Sequence, residues 1–173
     1  MELRTARLFL RPFRADDHAD LHAIAGDPAV VRWMDWGPNT PEDTGVFLDY
    51  ALESEAETPR RTWKFAVIRE TLIGSAELHI ESPEHRRGTM GYLIAPAAQG
   101  QGYATEAARA VLDFGLTGGG LHRITATCDP ENVGSTRVLE KIGMSREGHL
   151  RDHFLIRGEW RDRLLFAKLA QLR

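Results

Sequence analysis

Apolar and polar residues alternate along this chain with two periods, and the period switches repeatedly between the first residues and the last. Arg7-Leu8-Phe9-Leu10-Arg11 has the content of a strand, closed by Pro12. Leu21, Ile24 and Ala25 then share one side of a helix that Asp16 can cap and Gly26 ends. An irregular stretch with aromatics follows, from Asp27-Pro28 through Met34-Asp35-Trp36-Gly37-Pro38. Thr40-Pro41-Glu42-Asp43 is a strong helix start. Threonine caps, proline takes the first helical position, and acids favour the positive end of the helix dipole. Val46, Phe47, Tyr50 and Ala51 are predicted to form its apolar face, and Pro59 ends the region.

Trp63, Phe65 and Val67 alternate with Lys64 and Ala66, and Arg69-Glu70-Thr71 turns into a second strand, Leu72 to Ile80. A polar loop from Glu81 to Gly88 leads to a third, Met90 to Ala95. Gln99 to Ala104 is a loop. A helix to about Leu116 follows, with Ala104, Ala107, Ala108, Val111 and Leu112 at helical spacing and Gly118-Gly119-Gly120 as its stop. His122 to Cys128 is a strand, and Val133 to Ile142 a short helix ended by Gly143. Two more strands, near Gly148 to Ile156 and Trp160 to Leu169, join through Arg157-Gly158-Glu159, with polar residues interrupting their pattern. Hairpins combined with a helical crossover predict one α/β domain over residues 1–173, its mixed, largely antiparallel sheet flanked by helices.

Composition acts mainly by exclusion. With 42% hydrophobic and 27% charged residues the balance is that of an ordinary globular protein. A net charge of -3 and a pI near 6.2 leave no overall basic footprint for nucleic acid or an anionic membrane. Cys128 is the only cysteine, so no internal disulfide forms and a reducing compartment is the simpler expectation. Met1-Glu2-Leu3-Arg4-Thr5 lacks the apolar run of a signal peptide, and no window approaches the roughly 18 apolar residues of a membrane span. The expected location is the cytoplasm.

The chemistry concentrates in the strand, loop and helix from Tyr92 to Ala107. Helix N-termini carry unpaired N–H groups and partial positive charge, so they suit phosphate. Gly100 and Gly102 let the backbone approach an anion, and the small Ala104 keeps the first turn open. The segment therefore predicts anion binding, against the plainer reading of a turn that needs glycine for geometry alone. Gly100-Gln101-Gly102 could open a dinucleotide fingerprint, but Thr105 stands at the third glycine position. The acid expected further on has only approximate candidates in Glu106, Asp113 and Asp129, and no Walker loop is present.

Gln99-x-x-Gly102-x-Ala104 resembles the pyrophosphate loop of the GCN5-related N-acetyltransferase (GNAT) family. Three blocks in order are similar to its RimJ/RimL-type branch, which acetylates ribosomal-protein N-termini. They are Thr5 to Pro12, Gly100 to Ala107 and Asn132 to Met144. The resemblance implies a GNAT-type acyltransferase fold, acetyl-CoA as cosubstrate and no metal. It implies coenzyme contacts from Leu93, Ile94, Gln99, Gly100, Gln101, Gly102, Tyr103, Ala104, Thr105, Asn132 and Ser135. It further implies a strand at Leu93 and Ile94 that splays from the parallel strand His122 to Cys128, with an N–H near Ile94 polarising the thioester carbonyl. Homodimers are frequent in the family, which makes a dimer one option here.

In such a reaction a neutral amine attacks the acetyl carbonyl, a base takes a proton from the ammonium form, and an acid protonates the departing thiolate. An N-terminal amine, with a pKa about 7.7, needs less help than a lysine-like one at about 10.4. The tyrosine many members carry seven positions after the asparagine is here Leu139. By resemblance the acid role passes to Ser135, which could equally sit there for local capping. Asn132 can cap the same helix. Glu77 is the first choice of base and His79 the second, because alternate positions on one strand share a face; a solvated face explains both as well. Glu81 and Asp35 are further carboxylates, and Trp33, Trp36 and Tyr92 candidate walls of the acceptor pocket. His149 and His153 lack a third metal ligand, and Cys128 reads as a small buried hydrophobe. The leading expectation is acetyl transfer to a protein N-terminal amine. An antibiotic, polyamine or amino acid acceptor, a CoA-binding sensor and a nucleotide-dependent enzyme are the alternatives.

Overall fold

The computed structural model describes residues 1–171. Its strands are β1 (Leu3–Arg4), β2 (Phe9–Pro12), β3 (Thr62–Ile68), β4 (Leu72–Ser82), β5 (Arg87–Ile94), β6 (Arg123–Cys128), β7 (Ser145–Ile156) and β8 (Glu159–Leu169). The α-helices are α1 (His18–Ala25), α2 (Pro28–Val31), α3 (Pro41–Ala56), α4 (Tyr103–Leu116) and α5 (Val133–Lys141). The strands form one sheet in the order β1-β2-β3-β4-β5-β6-β8-β7. Every neighbouring pair is antiparallel except β5 with β6, the crossover that carries α4. This is the mixed, mostly antiparallel arrangement that the alternating periods predict. No described helix is long and apolar enough to cross a membrane.

Each face of the sheet has its own core. On one face α4 lays Ala107, Ala108, Val111 and Leu112 against Leu78, Ile124 and Phe166, all essentially inaccessible to water. The two alanines let the helix axis come close to the strands, so the sheet is covered with little void. On the other face Leu21, Ile24, Leu48 and Ala51 from α1 and α3 pack over Ala66 and Leu72. These two helices leave the middle of their face uncovered beside β4 and β5, and the cleft described below opens there.

Several local expectations are revised. Asp16 does not cap α1; a 3-10 turn over Ala15–Asp17 precedes the helix, and Asp17 takes the anchoring role. Its carboxylate accepts from the Arg14 amide and from both terminal nitrogens of Arg11. The Asp27 to Pro38 stretch holds a short helix, α2, because the Asp27 side chain accepts the Ala29 N–H ahead of Pro28. Helix α3 starts at the predicted Thr40–Asp43 capping box, but its buried positions are Thr44, Leu48, Ala51 and Ser54. Val46 and Tyr50, predicted as core, are exposed and border the cleft. They stand between about a third and nearly half a turn round from Thr44 and Leu48, beyond the reach of the sheet.

Candidate active site

Strands β5 and β6 run side by side for only three residue pairs, Arg87 with Arg123, Gly88 with Ile124 and Thr89 with Thr125. Beyond Thr89 the two strands part, while β5 stays paired with β4 as far as Ile94. The facing edges, Met90 to Ile94 and Ala126 to Cys128, border a cleft of about 1250 Å³. That volume exceeds the roughly 300–1,000 Å³ of a drug-sized pocket and suits a long ligand together with a second one.

Backbone direction at the opening follows from strand alternation. The Ala95 N–H donates to the Ile73 carbonyl on the β4 side. The N–H and C=O of Ile94 therefore point the other way, into the gap. The Gln99 side chain donates to that carbonyl at 2.9 Å, so the Ile94 N–H is left facing the cleft.

At the same end, α4 begins at a loop that offers bare amides. Gly102, the helix N-cap, has φ +83 and no side chain to cap the first turn. Among the described residues the N–H groups of Tyr103, Ala104 and Thr105 have no acceptor in the chain. Gln99, Gly100, Gly102, Tyr103, Ala104 and Thr105 all border the cleft; Gln101 turns away, its side chain folded onto the Ala97 carbonyl. Tyr103 is buried, its ring under the guanidinium groups of Arg7 and Arg69. The first helical turn is fixed from outside. Glu106 accepts from the Thr5 hydroxyl at 2.6 Å, the Arg7 N–H at 2.8 Å and Arg7 Nε at 2.7 Å. This contact joins two of the sequence blocks singled out above, and Glu106 is thereby bound to the chain rather than free for a ribose.

Burial alone would raise the Glu106 carboxyl, but the hydrogen bonds from Thr5 and Arg7 hold it below the ordinary glutamate value. A lowered folded-state value stabilises the protein above the unfolded pKa of roughly 4.3 and ceases to do so as pH falls through the folded value. Melting temperature is accordingly expected to fall more steeply below about pH 4.3 in the wild type than in Glu106→Gln. Parallel acid limbs in the two proteins would contradict this.

Helix α5 brings the second set of groups. The Asn132 side chain caps it by accepting the Ser135 N–H at 3.0 Å. Ser135 Oγ lies 2.9 Å from the Tyr92 hydroxyl, which reaches it from β5. Burial pushes the Tyr92 phenol above its ordinary value, so it keeps its proton at neutral pH. Leu139 is in the core. The hydroxyl pair therefore stands where the sequence reading saw serine alone, with Tyr92 taken only as a wall. Tyr92 and Ile94 share strand parity just ahead of the loop, and that spacing was the available signal. Cys128 is buried, 3.5 Å from the Thr136 hydroxyl, and burial pushes its thiol up, away from the thiolate a nucleophile requires.

On the far side of the opening, Glu77 borders the cleft with its Oε2 ion-paired to Lys64. Asp35, Trp33 and Trp36 border it as well. His79 and Glu81 do not; the His79 ring instead meets the Thr62 hydroxyl at 2.9 Å. His149 pairs with Asp162 across the β7–β8 hairpin. Sequence reasoning missed Arg163, a buried arginine on β8 that also borders the cleft.

Comparison with known proteins gives concordant results. The family described as "Acetyltransferase (GNAT) domain" matches residues 7–145. The uncharacterized N-acetyltransferase YnaD of Bacillus subtilis is 36% identical over 174 residues, covering 99% of this chain and 98% of its own length. The spermidine N(1)-acetyltransferase of Escherichia coli is 28% identical, covering 88% and 81%. Among solved structures, Mycobacterium smegmatis RimJ in complex with CoA-disulfide superposes with a TM-score of 0.84 at 29% identity, covering 98% of this chain and 86% of that one.

Proposed function

The chain belongs to the GNAT family of N-acetyltransferases, and from that premise we propose that its acceptor is the N-terminal amine of a protein, of the ribosomal-protein type. Acetyl-CoA is the cosubstrate, and when bound it supplies an activated acetyl thioester. The residues present fit it. The free amides of Tyr103, Ala104 and Thr105 take the pyrophosphate, and the edge of Leu93 and Ile94 takes the pantetheine arm. Asn132 closes that path at the α5 cap. The Ile94 N–H polarises the acetyl carbonyl, and Ser135, hydrogen-bonded to Tyr92, provides a proton for the departing sulfur.

The observation that carries the choice of acceptor is the Lys64–Glu77 ion pair. Glu77, the candidate base, borders the cleft, yet its charge is matched by an ammonium at contact distance, so it attracts a further cation weakly. A polyamine brings several ammonium groups. Among the described acids that border the cleft, however, Glu77 is held by Lys64 and Asp43 by Thr40, which leaves Asp35 for a single ammonium. An N-terminal amine, already partly neutral near pH 7.7, needs only a modest base. The likeness to a spermidine acetyltransferase keeps the polyamine as the second reading.

Following CoA thiol release tests the two. At neutral pH, kcat/KM for peptides with ribosomal-protein N-termini is expected to exceed that for spermidine by about tenfold or more. Glu77→Gln should harm lysine-like amines more than N-terminal peptides. Preference for spermidine by the wild type would sink the N-terminal reading.

A further inference from the structure

We infer that Arg163 is the specificity group of the acceptor pocket, holding an oxygen that the acceptor carries beside its amine. The inference rests on the N-terminal reading above and narrows it, since in a peptide that oxygen is the first carbonyl.

Arg163 lies in the middle of β8 with only 5% of its surface exposed. Its neighbour Leu164 points to the α4 face of the sheet and into that core. Strand alternation therefore turns Arg163 to the opposite face, the one that holds Trp33 and Asp35. Its Nη2 donates to the Trp33 carbonyl at 2.7 Å, and its guanidinium lies 4.9 Å from the Phe154 ring centroid. Among the described residues its buried Nε has no hydrogen-bond partner.

Among the described residues no carboxylate pairs with it. Asp129, just past the end of β6, is taken by Arg161 at 3.0 and 3.1 Å. Asp35 acts on it only at a distance, and burial pushes its pKa below the ordinary arginine value. A buried cation with unused donors is costly to a folded chain, and a hydrophobic residue of similar size would pack there more cheaply. The arrangement makes sense when an acceptor oxygen completes the guanidinium's hydrogen bonds.

Position supports this use. Leu164 pairs with Cys128, and the Cys128 thiol meets Thr136, the residue after Ser135. Arg163, on the other face of β8, borders the same cleft as Ile94 and Ser135. With Asp35 on the same wall, the pocket offers a negative group for an ammonium and a positive one for the neighbouring oxygen. A free amino acid presents the same pairing through its carboxylate, whereas spermidine has no oxygen to offer.

The test is kcat/KM of the wild type, Arg163→Met and Arg163→Lys with three acceptors: a C-terminally amidated peptide, free alanine and spermidine. In Arg163→Met the peptide-to-spermidine ratio is expected to fall about tenfold or more, chiefly through the peptide KM. Arg163→Lys, which keeps the charge without the fork, should fall in between. Because Arg163→Met also removes the bond to the Trp33 carbonyl, the deciding readout is the peptide-to-spermidine ratio and its peptide KM part, which a purely structural arginine would leave unmoved. A wild type that favours alanine over the peptide identifies a carboxylate as the bound oxygen. An unchanged ratio in both variants overturns the role of Arg163, even where the wild type prefers the peptide. A wild type that prefers spermidine overturns the N-terminal reading with it.

Discussion

Replacing Gly102 with valine is expected to weaken acetyl-CoA binding by about a hundredfold or more, with the fold retained. Gly102 holds φ +83, where a β-branched residue is strained by roughly 1–2 kcal/mol or more. An added Cβ would also stand 3.4 Å from Arg7 Nη2, the guanidinium that fixes the first turn of α4. The chain can relieve the strain only by rotating the peptide planes that lead into Tyr103 and Ala104. Their N–H groups then leave the direction of the pyrophosphate. Each hydrogen bond to a charged group contributes about 1.5–3 kcal/mol, so two displaced amides reach a hundredfold. Gly100→Ala is the informative control. Its φ is +75, yet nothing lies within 4 Å of an added Cβ, so a smaller loss is expected there. Calorimetric titration with CoA measures both variants. Unchanged affinity in Gly102→Val would remove the basis for placing the pyrophosphate at this loop.

The second large effect is expected in turnover. Ser135→Ala should lower kcat about a hundredfold, in the range of a lost general acid. Tyr92→Phe should lower it about tenfold, since Ser135 then loses the partner 2.9 Å away and must hold its proton unaided. The double variant should resemble Ser135→Ala alone, because two groups that act as one chain of hydrogen bonds do not contribute additively. The loss should shrink as pH rises through the thiol range near 8.5, where a thiolate departs without a proton. Steady-state kinetics of the four proteins against pH decide the matter. Multiplicative losses, or full activity in Ser135→Ala, would exclude the hydroxyl pair from proton delivery.

Much of this site was legible in the chain because its parts are local. The loop before α4 depends on glycine at a left-handed position and on a helix start, and both are written in consecutive residues. The α5 cap likewise lies within four residues, Asn132 to Ser135. What was not legible depends on residues brought together from afar. Strand parity puts Tyr92 with Ile94, but it does not announce that the hydroxyl meets a serine 43 positions later. Arg163 closes the polar first half of its strand after Arg161 and Asp162, and one arginine in such a run reads as solvated until its neighbours are known. On α3 the apolar stripe through Val46 and Tyr50 was assigned to the core because periodicity reports that residues share a side, not what that side faces. The Asp17 anchor was missed by one position because its decisive partner, Arg11, lies before the helix rather than in it.

The three-pair seam between β5 and β6 has a mechanical meaning. The strands behave as two pages bound at a short spine, with the proposed chemistry at the open fore-edge. The first two pairs of the binding, Arg87 with Arg123 and Gly88 with Ile124, lie outside the cleft, yet they set how wide the fore-edge stands. Changes that loosen the spine would alter reactivity from a distance, without altering any residue that meets a substrate.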